Sequence, residues 1–155
     1  MRRLLGILFV LVLAGCGTPA KTMTGAEAIQ QVDDYLKDAV AAAPAGVRLV
    51  RKAEATNGSG CVRGLSDSGF TGQVKAEVAY EAQVDPAVAA QYLQALGDLF
   101  DRKWGKPERS ADNVGVYVDE VRLYGDYWPG IKRLTVGGNS GCVWVGGTPG
   151  PDDRP

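Results

Sequence analysis

QVKAEVAYEAQV, residues 73–84, alternates apolar and polar side chains, and this alternation sets the architecture of the chain. The apolar positions begin at Val74 and recur at every second residue, with Lys75 and Glu77 among the polar residues between them. Successive side chains of a strand point to opposite faces, so such a stretch buries one face and exposes the other. The sequence therefore predicts a half-buried antiparallel strand.

The residues after this strand predict a helix. Asp85 and Pro86 are residue types that favour the N-cap and the first helical position. Arg102 and Lys103 suit the last turn, where cations interact with the helix dipole, and Gly105 ends the helix. The apolar stripe of this helix consists of Val88, Ala89, Tyr92, Leu93, Leu96, Leu99 and Phe100.

Another amphipathic helix precedes the strand. It begins at Thr24-Gly25-Ala26-Glu27, whose Thr and Glu side chains can form a capping box. It ends at Pro44 and Gly46, because proline cannot continue the helical hydrogen bonds. Residues 47–55 then predict a further strand. The apolar stripe of the helix consists of Ile29, Val32, Leu36, Ala39, Val40 and Ala43.

The C-terminal third predicts three more strands. The apolar phase of the first strand changes near Asp119-Glu120, which we interpret as a β-bulge because one extra residue exchanges the two faces. Glycine-rich turns separate the strands. We expect strands at 114–124, 131–136 and 142–145, and turns at 125–130 and 137–141.

The order αββαβββ predicts an α+β fold of two layers. Both helices are expected on one face of a four- to five-stranded, mainly antiparallel sheet. We assign one domain to residues 24–146, because a chain of this length builds one core. Residues 147–155 are rich in Pro and Gly and are expected to form a disordered tail.

The N-terminus has the pattern of an export signal. Two arginines precede an apolar run at residues 4–13, which is too short to span a bilayer. The run ends in Leu13-Ala14-Gly15-Cys16, which resembles a bacterial lipobox. Residues 1–15 are then a lipoprotein signal peptide, Cys16 is the lipidated residue, and residues 16–23 are a tether. A signal peptide without lipidation is the alternative.

Two cysteines remain when Cys16 carries lipid. An even pair in an exported protein most simply forms a disulfide, so we predict a Cys61–Cys142 bridge. Two buried free thiols are the alternative. A zinc site would need further ligands from carboxylates, because the chain has no histidine.

The cysteines also carry a resemblance. The signal that ends in Cys16, the Gly-Ser-Gly-Cys at 58–61, the central helix and the Ser-Gly-Cys at 140–142 resemble small actinobacterial lipoproteins of the LppA-like kind. The resemblance implies a disulfide-bridged lipoprotein domain, with no settled activity and no catalytic residues to transfer.

Composition and motifs argue against several functional classes. The absence of histidine removes the commonest general base and metal ligand. Loss of Arg2 and Arg3 with the signal leaves 15 basic residues of the original 17 against 18 acidic ones, so nucleic acid is not an expected partner. The adjacent carboxylates at 33–34 and 119–120 point in different directions and predict solvated surface. We expect no catalytic residues, no metal and no cofactor.

The aromatic residues Tyr124, Tyr127 and Trp128 are the candidate contact residues. Such rings combine a large apolar area with a polar tip, so they suit stacking on a sugar or anchoring a protein partner. The alternative is that these rings pack over the open end of a small sheet. Trp104 and Trp144 are expected to be their neighbours.

The leading functional hypothesis is a noncatalytic binding or scaffolding lipoprotein of the cell envelope. It would be held on the outer face of the cell membrane by its lipid and would contact an envelope protein or glycan. The alternatives are a carrier of an apolar ligand and a hydrolase of envelope polymers with an unrecognised carboxylate site.

Overall fold

The computed structural model describes residues 22–56, Cys61 and residues 72–149. This part of the chain forms two α-helices, six strands and one short 3₁₀ turn. Their bounds are α1 Gly25–Ala41, β1 Val50–Thr56, β2 Gln73–Gln83, α2 Pro86–Trp104, β3 Glu108–Arg109, β4 Asn113–Val118, β5 Val121–Trp128, the 3₁₀ turn Pro129–Ile131, and β6 Arg133–Trp144.

The strands form one open sheet in the order β1-β2-β6-β5-β4-β3, and every neighbouring pair is antiparallel. α1 packs over β2 and β6, and α2 packs over β4 and β5. Both helices lie on one face, which we call the helix face, and the opposite face is the open face. The predicted α+β sandwich is confirmed, with six strands in the described chain instead of four or five.

The predicted bulge near Asp119-Glu120 is wrong, because these residues form the turn of a hairpin. Val118 pairs with Val121, so the expected single strand is two strands, β4 and β5. Asp119 has a φ of 54°, a left-handed conformation that aspartate tolerates better than most residues. A two-residue turn and a bulge both reverse the apolar phase, so the pattern alone did not distinguish them.

The predicted glycine turns are also misplaced. Residues 125–128 belong to β5, and residues 137–141 lie inside the continuous strand β6. The register with β2 moves from Lys75–Cys142 to Glu77–Asn139, so β6 carries a bulge. The Ala76 N–H donates to the Ser140 Oγ at this bulge, at 3.0 Å.

The ends of the helices follow the sequence closely. Thr24 and Glu27 form the predicted capping box, with the Glu27 N–H donating to the Thr24 Oγ1 at 3.2 Å and the Thr24 N–H donating to the Glu27 Oε2 at 2.7 Å. Asp85 occupies the N-cap position of α2 without a side-chain capping bond. Its carboxylate accepts from the Lys132 ammonium at 2.9 Å instead.

The core lies between the helices and the sheet. The Tyr92 hydroxyl donates to the Ala39 carbonyl oxygen and thereby joins α2 to α1. Burial of these apolar surfaces is the main stabilising term of the fold. The largest fully buried side chains are Tyr92, Phe100, Leu36, Leu96, Leu123, Leu134, Val32, Val78, Val114, Val121 and Val136.

A charged cluster fastens α1 to β1 and β2 at the rim of this core. The Arg51 guanidinium donates to both carboxylate oxygens of Asp33, and the Tyr80 hydroxyl donates to the Asp33 Oδ1 at 2.8 Å. The Asp33 side chain is only 18% exposed. The hydrogen bond from Arg51 is the largest cause that holds the pKa of Asp33 below the ordinary value of 3.8.

This cluster predicts a pH dependence of stability. A depressed folded-state pKa stabilises the fold above the unfolded value of about 3.8, and that contribution is lost as the pH falls through the folded value. We expect Asp33→Asn to lower the free energy of unfolding by about 1 kcal/mol at neutral pH. In this variant the free energy of unfolding should also fall less steeply than in the wild type as the pH decreases below about 4. Denaturant titrations between about pH 2 and 7 measure both effects.

Asp34→Asn is the matched control, because Asp34 is exposed and its carboxylate accepts from the neighbouring Gln30 amide at 3.1 Å. It should change the free energy of unfolding by less than about 0.5 kcal/mol. If Asp33→Asn lost stability in acid as steeply as the wild type does, Asp33 would not be a source of the pH dependence.

Candidate functional site

The predicted disulfide is present. Cys61, in the connection between β1 and β2, is bonded to Cys142 of β6, with 5.8 Å between their Cα atoms. Cys61 is 2% exposed. Cys142 shares a register position with Lys75, which places the bond at the open face. Cys16 lies outside the described residues.

One surface joins large exposed apolar side chains, and we call it the aromatic turn, defined as residues 128–133. Trp128 is 56% exposed and Ile131 is 54% exposed. Pro129 starts the 3₁₀ turn and Ile131 ends it, and the following Lys132 has a left-handed conformation with a φ of 49°. The chain therefore reverses direction while it holds Trp128 and Ile131 in solvent.

Arg133 belongs to the same turn. Its guanidinium carbon lies 5.9 Å from the centroid of the Trp128 ring, within the range of a cation–π contact. Its Nε is buried and has no hydrogen-bond partner in the described part of the chain. The turn therefore presents an exposed aromatic ring with a guanidinium against it, and an exposed aliphatic side chain three residues further along.

The other candidate aromatics are divided between the two faces. Tyr127 lies on the helix face, is 6% exposed, and donates from its hydroxyl to the Val84 carbonyl oxygen at 3.3 Å. Tyr127 is therefore a packing residue. Tyr124 and Trp128 lie on the open face, where Trp128 alone of the three predicted residues is largely exposed.

The expectation that Trp104 and Trp144 neighbour this turn is wrong. Trp104 ends α2, where its ring lies 6.1 Å from that of Tyr35 and 5.7 Å from that of Phe100. Trp144 ends β6, is 8% exposed, and is separated from the aromatic turn by the length of that strand. Strand and helix lengths, which the residue types do not show, separate these rings.

A groove on the open face is a second feature. Tyr124 covers Gly137 and donates from its hydroxyl to the Glu77 Oε1 at 3.3 Å. Burial raises the pKa of Tyr124 well above its ordinary value, and the charge of Glu77 raises it further. Beside this pair lies a groove of about 280 Å³, lined by Lys52, Ala53, Glu54, Glu77, Ala79 and Glu81.

Two features were missed by the sequence reasoning. Ile131 was expected to start a strand, yet it ends the 3₁₀ turn; Pro129 and Gly130 before it are the signal that could have placed it there. The groove is lined by polar residues of both β1 and β2, so it could not be predicted before the pairing of these two strands was known.

In residues 22–56, 61 and 72–149, no group of three or more His, Cys, Asp or Glu side chains could hold a metal ion. Within the same ranges, neither helix has the length and apolar character that crossing a bilayer requires.

Comparison of the chain with protein-family models, curated proteins and solved structures gave no match. The resemblance to LppA-like lipoproteins therefore stays a prediction.

Proposed function

We propose that this protein is a membrane-anchored, extracytoplasmic lipoprotein whose domain binds a protein of the cell envelope without catalysing a reaction. The observation that carries the proposal is the exposure of Trp128 and Ile131 together in one turn. The lipid would be attached at Cys16. The domain would act as a binding or scaffolding module at the membrane surface.

The composition of the aromatic turn supports a protein partner. Trp and Arg are enriched among the residues that dominate binding energies at protein interfaces. Arg133 lies against the Trp128 ring, so the aromatic surface and a fixed positive charge would reach a partner together. An aliphatic side chain at Ile131 adds apolar area, which a protein surface matches better than a sugar ring does.

The position of the turn also supports the proposal. The Thr22 N–H donates to the Gly147 carbonyl oxygen at 2.9 Å, and the Trp144 N–H donates to the Thr22 Oγ1 at 2.9 Å. Thr22 therefore lies beside the end of β6, whereas the aromatic turn lies at the beginning of β6. Twelve strand residues separate the two by about 35 Å, so anchor and partner would not compete for one end of the domain.

The alternatives have weaker support. An apolar ligand would be poorly matched by the open-face groove, because Lys52, Glu54, Glu77 and Glu81 line it. For a hydrolase, Glu54 and Glu77 are opposed across β1 and β2, but both are exposed. Burial and exclusion of water are the usual means by which an enzyme prepares such carboxylates.

Photocrosslinking in intact cells tests the proposal. A photoreactive amino acid at position 131 of the full chain should capture a discrete partner protein. Trp128→Ala in the same chain should reduce this crosslink by roughly tenfold or more, as expected when a buried interface tryptophan is removed. Mass spectrometry of the crosslinked band identifies the captured protein.

The same photoreactive residue at position 117 is the matched control, because Tyr117 is 64% exposed but lies on β4, outside the turn. Equal capture at positions 117 and 131, or capture at 131 that Trp128→Ala leaves unchanged, would contradict a contact by the aromatic turn. Capture of glycan alone would contradict a protein partner.

In a separate arm, Cys16→Ala should move the protein out of the membrane fraction, and retention there would contradict the lipid anchor.

A further inference from the structure

β1 is an exposed edge strand. It is seven residues long, it ends the sheet order, and residues 50–55 are all exposed. Among the described strands only β2 pairs with it, so its outer backbone N–H and C=O groups have no strand partner within the described residues. Natural proteins keep edge strands short or cover them, because a free edge can pair with another chain. The opposite edge, β3, has only two residues.

The charges on β1 are unevenly matched within the chain. Lys52 and Glu54 lie two positions apart and therefore on the same face of the sheet. The Lys52 ammonium contacts the Glu81 carboxylate at 2.6 Å. Glu54 is directly opposite Glu77 on β2, and like charges in this position are unfavourable. A cation on the outer side of Glu54 would offset this repulsion.

A second copy of β1 can supply that cation in only one register. Two identical antiparallel strands are related by a two-fold axis, and directly opposed residues share a face of the sheet. The axis must therefore lie midway between one residue and the same residue of the other chain, and we name each axis by that residue. An axis at Lys52 opposes two lysines, and an axis at Glu54 opposes two glutamates. An axis at Ala53 instead opposes Lys52 of each chain to Glu54 of the other.

We propose that two copies of this chain associate through their β1 edges, antiparallel about a two-fold axis at Ala53. Each Lys52 then lies opposite Glu54 of the partner subunit, which places a positive charge beside the Glu54–Glu77 pair. The two six-stranded sheets join into one continuous sheet of twelve strands. The dimer goes beyond the proposed function, because it depends on neither the lipid anchor nor the aromatic turn.

The size of this interface sets the expected affinity. A single strand edge of seven residues buries little area, so we expect a dissociation constant in roughly the micromolar range. The aromatic turn stays free, because β5 is separated from β1 by β2 and β6. The Thr22 residues of the two subunits lie at opposite ends of the joined sheet, so one membrane can anchor both subunits only when the strands run along its surface.

Charge reversal with complementation tests the dimer. The full chain is extracted from membranes in detergent, and its mass is followed by native mass spectrometry over a concentration series. Lys52→Glu opposes two glutamates in the dimer and Glu54→Lys opposes two lysines, so each variant alone should dimerise at least about tenfold more weakly than the wild type. An equal mixture of the two variants restores both opposite-charge pairs and should recover a 1:1 heterodimer.

Lys106→Glu is the matched control, since it makes the same change at an exposed position after α2, and it should dimerise as the wild type does. Recovery in the mixture also shows that both single variants fold. Two chains that merely occupy the same detergent micelle would not produce this recovery, because such co-occupancy does not depend on the sign of a charge. The proposal is overturned by a wild type that stays monomeric at about 100 µM. It is also overturned by single variants that dimerise normally, or by a mixture without heterodimers.

Discussion

Replacing both Cys61 and Cys142 by serine should lower the free energy of unfolding by about 4 kcal/mol. The bond closes a loop with a sequence separation of 81 residues, and loop closure of this length removes much conformational entropy from the unfolded chain. A loss of this size is a large part of the 5–15 kcal/mol or so by which domains are stable.

Denaturant unfolding followed by tryptophan fluorescence measures this loss. The wild type with reduced cysteines should match the Cys61→Ser/Cys142→Ser variant, whereas a reducing agent should leave the variant itself unchanged. This comparison separates loss of the bond from the effect of the serine side chains. A loss below about 1 kcal/mol, in the variant or on reduction, would show that the bond contributes little.

Gly138→Val should lower the free energy of unfolding by about 2–3 kcal/mol. Gly138 lies on the helix face of β6, where α1 approaches the sheet. A Cβ at this position would lie 2.9 Å from the Val32 Cγ1, 2.9 Å from the Leu123 Cδ2 and 3.1 Å from the Arg122 carbonyl oxygen. Overpacking of a filled core costs energy because side chains and backbone must shift. Thermal and denaturant unfolding measure the effect.

Gly130→Val is the matched control, because a Cβ at Gly130 would have no atom within 4 Å. It should change the free energy of unfolding by less than about 1 kcal/mol. Equal losses in the two variants would indicate that the change of residue type, and not the contact between α1 and β6, causes the instability of Gly138→Val.

Local features of the chain were readable because neighbouring residues create them. The capping box needs only Thr24 and Glu27, three positions apart, and the alternation that starts at Val74 needs only residues within one strand. The two helices, the antiparallel β2 and the Cys61–Cys142 pair followed from such patterns. The α+β class followed from the order in which these elements occur.

The strand boundaries in the C-terminal third were not readable in this way. Glycine predicts a turn when it is judged by its own conformational freedom, but it also permits close approach of another group inside a strand. Gly137 lies beneath Tyr124 and Gly138 lies against Val32, residues that are 13 and more than 100 positions away in the chain. Only these distant partners distinguish a strand glycine from a turn glycine.

The candidate site was also predicted only in part. The sequence predicted Tyr124, Tyr127 and Trp128 together, and the structure buries Tyr127, places Tyr124 over Gly137, and exposes Trp128 beside Ile131. Alternation along β5 explains why Tyr127 differs from Tyr124 and Trp128, since strand residues an odd number of positions apart face opposite sides of the sheet. Which side was buried depended on where the helices pack.

Periodicity, capping and the cysteine count determined the two helices, strand β2 and the Cys61–Cys142 bond, because those signals act within a few residues or through a single bond. Tertiary structure alone decided that residues 133–144 form one strand, that β1 is an edge strand among the described strands, and that Trp128 and Ile131 share an exposed turn. These properties are set by which strands lie side by side and which face the helices cover, and such pairings join residues that are far apart in the chain.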